Sequence, residues 1–234
     1  MEISSLIELF RIHTQDEEFP GNGDSSDSLF QTSEIVEYFD FAQKEFARRT
    51  EILKDSRTVD YTSFAINIDE PWVEIPSKII SIKKASLLNS NVRLKVINHR
   101  ELDQGFLVDD YGLDWEGNWE TKTGTPQLVI TDMDTGAIRL FPIPVNEDTL
   151  RLQVTRYPDA DITSTSDDLE IPEQYHRKLL HHVLYMAYSK QDADAFDPQK
   201  AETEFLKFEQ SIEDAKVEFG KRYNKTGVTK YGGL

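Results

Sequence analysis

The chain has no cysteine, which excludes disulfides and thiolate metal sites. It has no apolar run approaching the roughly 20 residues that span a bilayer. Its opening residues, MEISSLIELFR, carry an acid early and only a short apolar stretch, unlike a signal peptide. There is no G-x-S-x-G elbow, no phosphate-binding loop and no dinucleotide glycine fingerprint. Bases are scarce: 26 Lys and Arg stand against 43 Asp and Glu, a net charge of −17. Such a field repels nucleic acid and anionic membrane, and no basic aromatic patch offsets it. These absences predict a soluble, unprocessed protein made inside the cell, with no cofactor. The acidity serves either solubility or the passage of nucleic acid that must not stick.

What is present is enough for a core. Of 234 residues, 38% are hydrophobic, including 13 Phe, 9 Tyr and 3 Trp. Ile3, Leu6, Ile7 and Phe10 recur at helical spacing, and a breaker-rich loop, EEFPGNGDSSDS, follows. Thr32 or Ser33 can cap a second helix running to about Ser56, along which Ile35, Val36, Phe39, Ala42, Phe46, Arg49 and Leu53 step by threes and fours. From residue 58 the period falls toward two: VRLKVI and DTLRLQVTRYP alternate, and PQLVITDMDTGAIRLFPIP reads as a hairpin. NHRELDQGF reads as a short helical turn. Helical texture returns at Pro172. Glu173 to about Lys190 forms one helix, and Asp197 with Pro198 opens another that runs to about Arg222. In that last helix Ala201, Phe205, Phe208, Ile212, Ala215 and Phe219 form a core stripe.

This order predicts an α+β chain. Residues 1–57 and 173–222 make one helical bundle domain from both chain ends, and 58–172 an inserted antiparallel β domain. The terminal stretch KRYNKTGVTKYGGL is basic and aperiodic, and 223–234 are expected to form an extended arm.

Three of the five histidines fall within IPEQYHRKLLHHVLYMAY. Two ligands on one helix normally sit four apart, whereas His176, His181 and His182 are separated by five and one. At about 100° per residue, five places turn the ring by roughly 140°, so His176 and His181 cannot share an ion. His176 and His182 are expected on apolar lines of the helix and His181 on its polar side, with no metal. DMDTG (132–136) lacks the ligand pattern of a calcium loop and reads as an acidic turn. DDYGLDWEGNWE joins carboxylates to Tyr111, Trp115 and Trp119. It can cover a sheet edge, dock a protein or hold a glycan. Hydrolysis through Asp109, Asp110, Asp114 or Glu116 is a further reading, though nothing fixes their separation. No residue is assigned a catalytic role.

Four stretches resemble the head-to-tail adaptor (connector, or head-completion) proteins of tailed bacteriophages. SSLIELFRIHTQD is similar to the family's opening helix. SEIVEYFDFAQKEFARRT is similar to its second, with Asp40-Phe41-Ala42 at the Asn/Asp-x-Ala step. GAIRLFPIPVNEDTLRLQVTRYP looks like the last hairpin of its inserted β domain. IPEQYHRKLLHHVLYMAYSKQDADAFDPQKAETEFLKFEQSIEDAK looks like its closing helical pair. The resemblance spans nearly the whole chain in order, with residues 90–125 unmatched.

It implies a structural protein of the virion neck: a ring, commonly twelve-fold, that sits under the portal protein, completes the head, lines the DNA conduit and offers a docking platform to the next neck or tail protein. The implied portal-binding arm carries Lys221, Arg222, Tyr223, Lys225, Lys230 and Tyr231. Arg48 and Arg49 are candidates to meet Asp192, Asp194 and Asp197 of an adjacent subunit. Tyr111, Trp115 and Trp119 are candidates for the tail side, or for a ligand if the chain is instead a monomeric binding module.

Overall fold

A computed structural model describes residues 2–16, 28–103, 119–191 and 195–223. The chain divides into two compact units, one made of residues 1–52 and 158–234 and the other of 53–157.

The first unit is helical. α1 (Ile3–Thr14) buries Ile3, Leu6, Ile7 and Phe10 and stops at Gln15, whose backbone is left-handed. Asp16 fixes the return of the chain: its carboxylate accepts the Leu29 and Phe30 N–H groups and pairs with Arg11 at 3.3 Å. α2 (Thr32–Thr50) differs from expectation at both ends. Gln31 occupies the cap position without a side-chain bond, because the Thr32 hydroxyl accepts from Arg11 instead. The helix ends six residues before Ser56, where Glu51 turns left-handed at φ 50°. Leu53, expected on the helix, offers its carbonyl to the Arg156 N–H at 3.0 Å.

The second half of this unit begins with an irregular stretch held to α2. The Ile162 N–H donates to Asp40 and the Glu170 N–H to the buried Gln43. A 3-10 turn (Glu173–Tyr175) then leads into α5 (His176–Ser189), which forms a hairpin with α6 (Pro198–Tyr223). Asp197 caps α6 as its sequence predicts, accepting the Lys200 N–H at 3.0 Å. Of the expected stripe, Ala201, Phe208, Ile212 and Ala215 are buried. Phe205 and Phe219 flank it, 5.1 Å from Tyr185 and 6.3 Å from Tyr175 between ring centroids.

The second unit is a curled sheet. Its strands are β1 (Lys54–Asp55), β2 (Ser63–Ile66), β3 (Trp72–Glu74), β4 (Ile79–Leu87), β5 (Arg93–Asn98), β7 (Leu128–Thr131), β8 (Ala137–Phe141) and β10 (Asp148–Arg156). They lie in the order β1-β10-β4-β5-β7-β8-β3, with β2 also on β10. β6 (Thr123–Gly124) and β9 (Ile143–Pro144) pair separately. Short helices α3 (Val59–Thr62) and α4 (His99–Asp103) complete the unit.

The sheet is antiparallel apart from one internal pair, β5 with β7, and β6–β9 is also parallel. A parallel neighbour needs a crossover of a dozen or more residues, and residues 99–127 supply it between β5 and β7. Alternation sorts the two faces. Leu150, Leu152 and Val154 join Ala85, Leu87, Leu94, Val129, Ile138 and Leu140 in the main core. Ile97, Leu128, Ile130 and Phe141 form a second cluster on the opposite face, covered by Trp119 and Met133.

Candidate functional site

The histidine segment is distributed among three unrelated environments. His176 is buried, and its Nε2 donates to the Ile171 carbonyl at 2.6 Å. His181 meets the Glu204 carboxylate at 2.7 Å on the partly exposed side. Burial pushes the Glu204 carboxyl up, but Lys207 and His181 outweigh it and hold it below the usual range. His182 sits in a ring of aromatics, 4.5 Å from Phe208, 5.6 Å from Phe41 and 5.7 Å from Tyr185. Its Nδ1 is buried with no hydrogen-bond partner among the described residues. Burial lowers its pKa to about 4; Glu45 and Glu209 act against that shift, and Arg49 adds to it. Each ring therefore has its own structural surroundings, and no two of the three face a common point. Among the described residues no group of three or more His, Asp or Glu side chains is placed to hold a metal.

The charged candidates lie elsewhere in the same unit. Arg49 reaches from α2 to α6 and forks onto Glu209, with one bond at 2.6 Å and a second, shorter one. That hydrogen bond raises the Arg49 pKa and holds the Glu209 carboxyl below its ordinary range. Such planar, bidentate recognition is the geometry in which a guanidinium outperforms an ammonium. Arg48 forks onto Glu45 of its own helix, a carboxylate that Arg49 also approaches at 4.0 Å. Arg48 is half exposed and meets Glu45, one turn back, at 2.8 Å. Asp197 is engaged as the α6 cap, and Asp192 and Asp194 lie outside the described residues. Glu209 is the partner that sequence reasoning missed, since a carboxylate 160 residues away gives no local signal.

α6 reaches Tyr223, one residue beyond its expected end. Lys221, Arg222 and Tyr223 are therefore helical in backbone, while Lys225, Lys230 and Tyr231 lie outside the described residues. So do Tyr111 and Trp115, together with Asp109, Asp110, Asp114 and Glu116. Trp119 opens a 3-10 turn and packs down on the sheet, 5.9 Å from Phe141 and 4.8 Å from the Arg139 guanidinium. Arg139 also lies 5.6 Å from Trp72, so it is stacked between two indoles while its Nη2 donates to the Glu120 carbonyl. Asp132 to Gly136 forms the β7–β8 turn, where Asp134 accepts the Gly136 N–H.

The described polar side chains thus hold elements together, through caps, forks and stacked cations. No helix among the described residues is long and apolar enough to cross a membrane. The fold is of the α+β class, with helices from both chain ends and a curled sheet between them in sequence. The chain belongs to the SU10 adaptor protein family, whose profile matches residues 1–229, and it is thereby a structural adaptor of the phage head–tail type. No curated protein matches the chain.

Proposed function

We propose that this adaptor completes the packaged phage head as a ring of twelve copies under the portal protein, in the virion neck, after synthesis in the host cytoplasm. The family match over residues 1–229 carries this reading. The helical unit supplies the ring wall, and the basic stretch after α6 orders against the portal. A short basic stretch beside an acid-rich chain suits contact with a complementary surface. The β unit offers loops and edges to the next neck or tail protein, with Trp119 and its neighbours in sequence on that side. DNA passes through without specific binding, since a net charge of −17 repels phosphate. Arg48, half exposed while it forks onto Glu45 of its own helix, is the arginine assigned to the neighbouring subunit.

The test is electron microscopy of the portal mixed with full-length chain, with chain lacking residues 223–234, and with Arg48→Glu. The full-length chain should add a ring below the portal, the truncated chain should leave the portal bare, and Arg48→Glu should give sparse or incomplete rings. A truncated chain that decorates the portal as well as the intact one would defeat the arm's assignment. Absence of any ring with the intact chain would defeat the adaptor mechanism itself.

A further inference from the structure

One face of the β unit has a charge opposite to that of the molecule. In the register of the sheet, Arg151 on β10 and Arg93 on β5 both lie opposite Ser86 on β4. Lys84, opposite Gln153, and Lys95 stand two residues along the same strands and therefore on the same face. Strands about 4.8 Å apart and a rise of about 3.4 Å per residue place these four cations in a patch of roughly 10 by 7 Å. All four side chains are exposed. Among the described residues, no carboxylate pairs with Lys84, Arg93 or Arg151.

Like charges this close destabilise the sheet that carries them. Lysine often guards a sheet edge against unwanted pairing, but β10, β4 and β5 are interior strands, so edge protection does not account for the cluster. A complementary anionic surface does. The chain itself carries one: residues 1–52 and 158–234 hold 27 acids against 14 bases, whereas 53–157 hold 16 against 12.

We infer that the face bearing Lys84, Arg93 and Arg151 docks on the acid-rich helical unit of a second copy of this chain, and this rests on the ring-forming reading above. Two different surfaces meeting in this way make a heterologous contact, which propagates around a ring, whereas a self-complementary patch would stop at a dimer. The charges set the direction and register of packing more than its strength. Duplex DNA is the poorer occupant, because the field of the whole molecule opposes it.

The absence of cysteine makes the test direct. Ser86→Cys introduces the sole thiol at the centre of the patch, to which a photoactivated cross-linker is attached before assembly on the portal. The expected product is a covalent dimer on a denaturing gel, with the linked peptide drawn from residues 1–52 or 158–234. A link to portal, to a tail protein, to DNA or within the same chain overturns the inference while leaving the adaptor reading in place, and so does the absence of any link in assembled rings. A chain that the portal does not recruit and that stays monomeric overturns both. The double variant Arg93→Glu with Arg151→Glu, its fold checked by circular dichroism, should need about tenfold more protein to fill the ring. Unchanged filling would also sink the inference.

Discussion

His182 is neutral among Phe41, Phe208 and Tyr185, and its pKa of about 4 lies below the ordinary imidazole value. The unfolded chain therefore takes up a proton at this position before the folded chain does. The stability this ring contributes is complete above about pH 6.5 and declines as the pH falls toward 4, by as much as about 3 kcal/mol. His182→Leu should flatten that acid limb in melts recorded between pH 7 and pH 4, with little change at neutral pH, because the Nδ1 has no partner to lose. An acid limb of undiminished slope would assign the sensitivity to another group. Asp55 also loses stability in acid, but because the fold favours its charged form rather than its neutral one. Burial pushes its carboxyl up, but the Thr58 and Arg57 N–H groups and the Arg156 guanidinium prevail and hold it well below the carboxylate range. At this scale the sequence was partly readable. The spacing of His176, His181 and His182 was sufficient to separate them, whereas the Arg49–Glu209 and Asp55–Arg156 pairs join residues 160 and 101 positions apart, which only the tertiary fold brings together.

The α5–α6 hairpin is the element on which the helical unit turns. Phe208 is fully buried in α6 against Phe46 of α2 and His182 of α5, at 6.2 and 4.5 Å. It therefore belongs to three helices at once. Phe208→Ala should cost about 3–5 kcal/mol, read as a lower denaturation midpoint for helical circular dichroism. A loss below about 1 kcal/mol would mean that the surrounding rings close over the cavity. Periodicity made these elements legible: the Phe208, Ile212 and Ala215 stripe and the Asp197-Pro198 start stand where pattern and capping chemistry place them. The end of α2 was not legible, because its apolar spacing continues to Leu53 while the backbone turns at Glu51. Pairing of Lys54 and Asp55 with β10 takes those residues into the sheet, and local pattern carries no trace of a partner about a hundred residues on. The parallel β5–β7 pair was likewise hidden, since alternation tells which face a residue takes but not which way its neighbour runs.

The whole molecule is one unit interrupted by another. Residues 53–157 begin and end on neighbouring strands: β1 pairs with β10, and the Leu53 carbonyl accepts the Arg156 N–H. An excised 53–157 fragment should fold on its own, because its main core draws on no residue outside those bounds. Dispersed amide signals with β-sheet shifts in an NMR spectrum of the fragment would bear this out. A collapsed, featureless spectrum would show that the sheet needs the rest of the chain.

The side-by-side stem of β1 and β10 has one more consequence. Where a chain departs and returns through a single two-strand doorway, whatever lies beyond can lengthen, shrink or be exchanged while the frame keeps its own geometry. The frame of residues 1–52 and 158–234 can therefore stay constant while the cartridge between its halves is replaced.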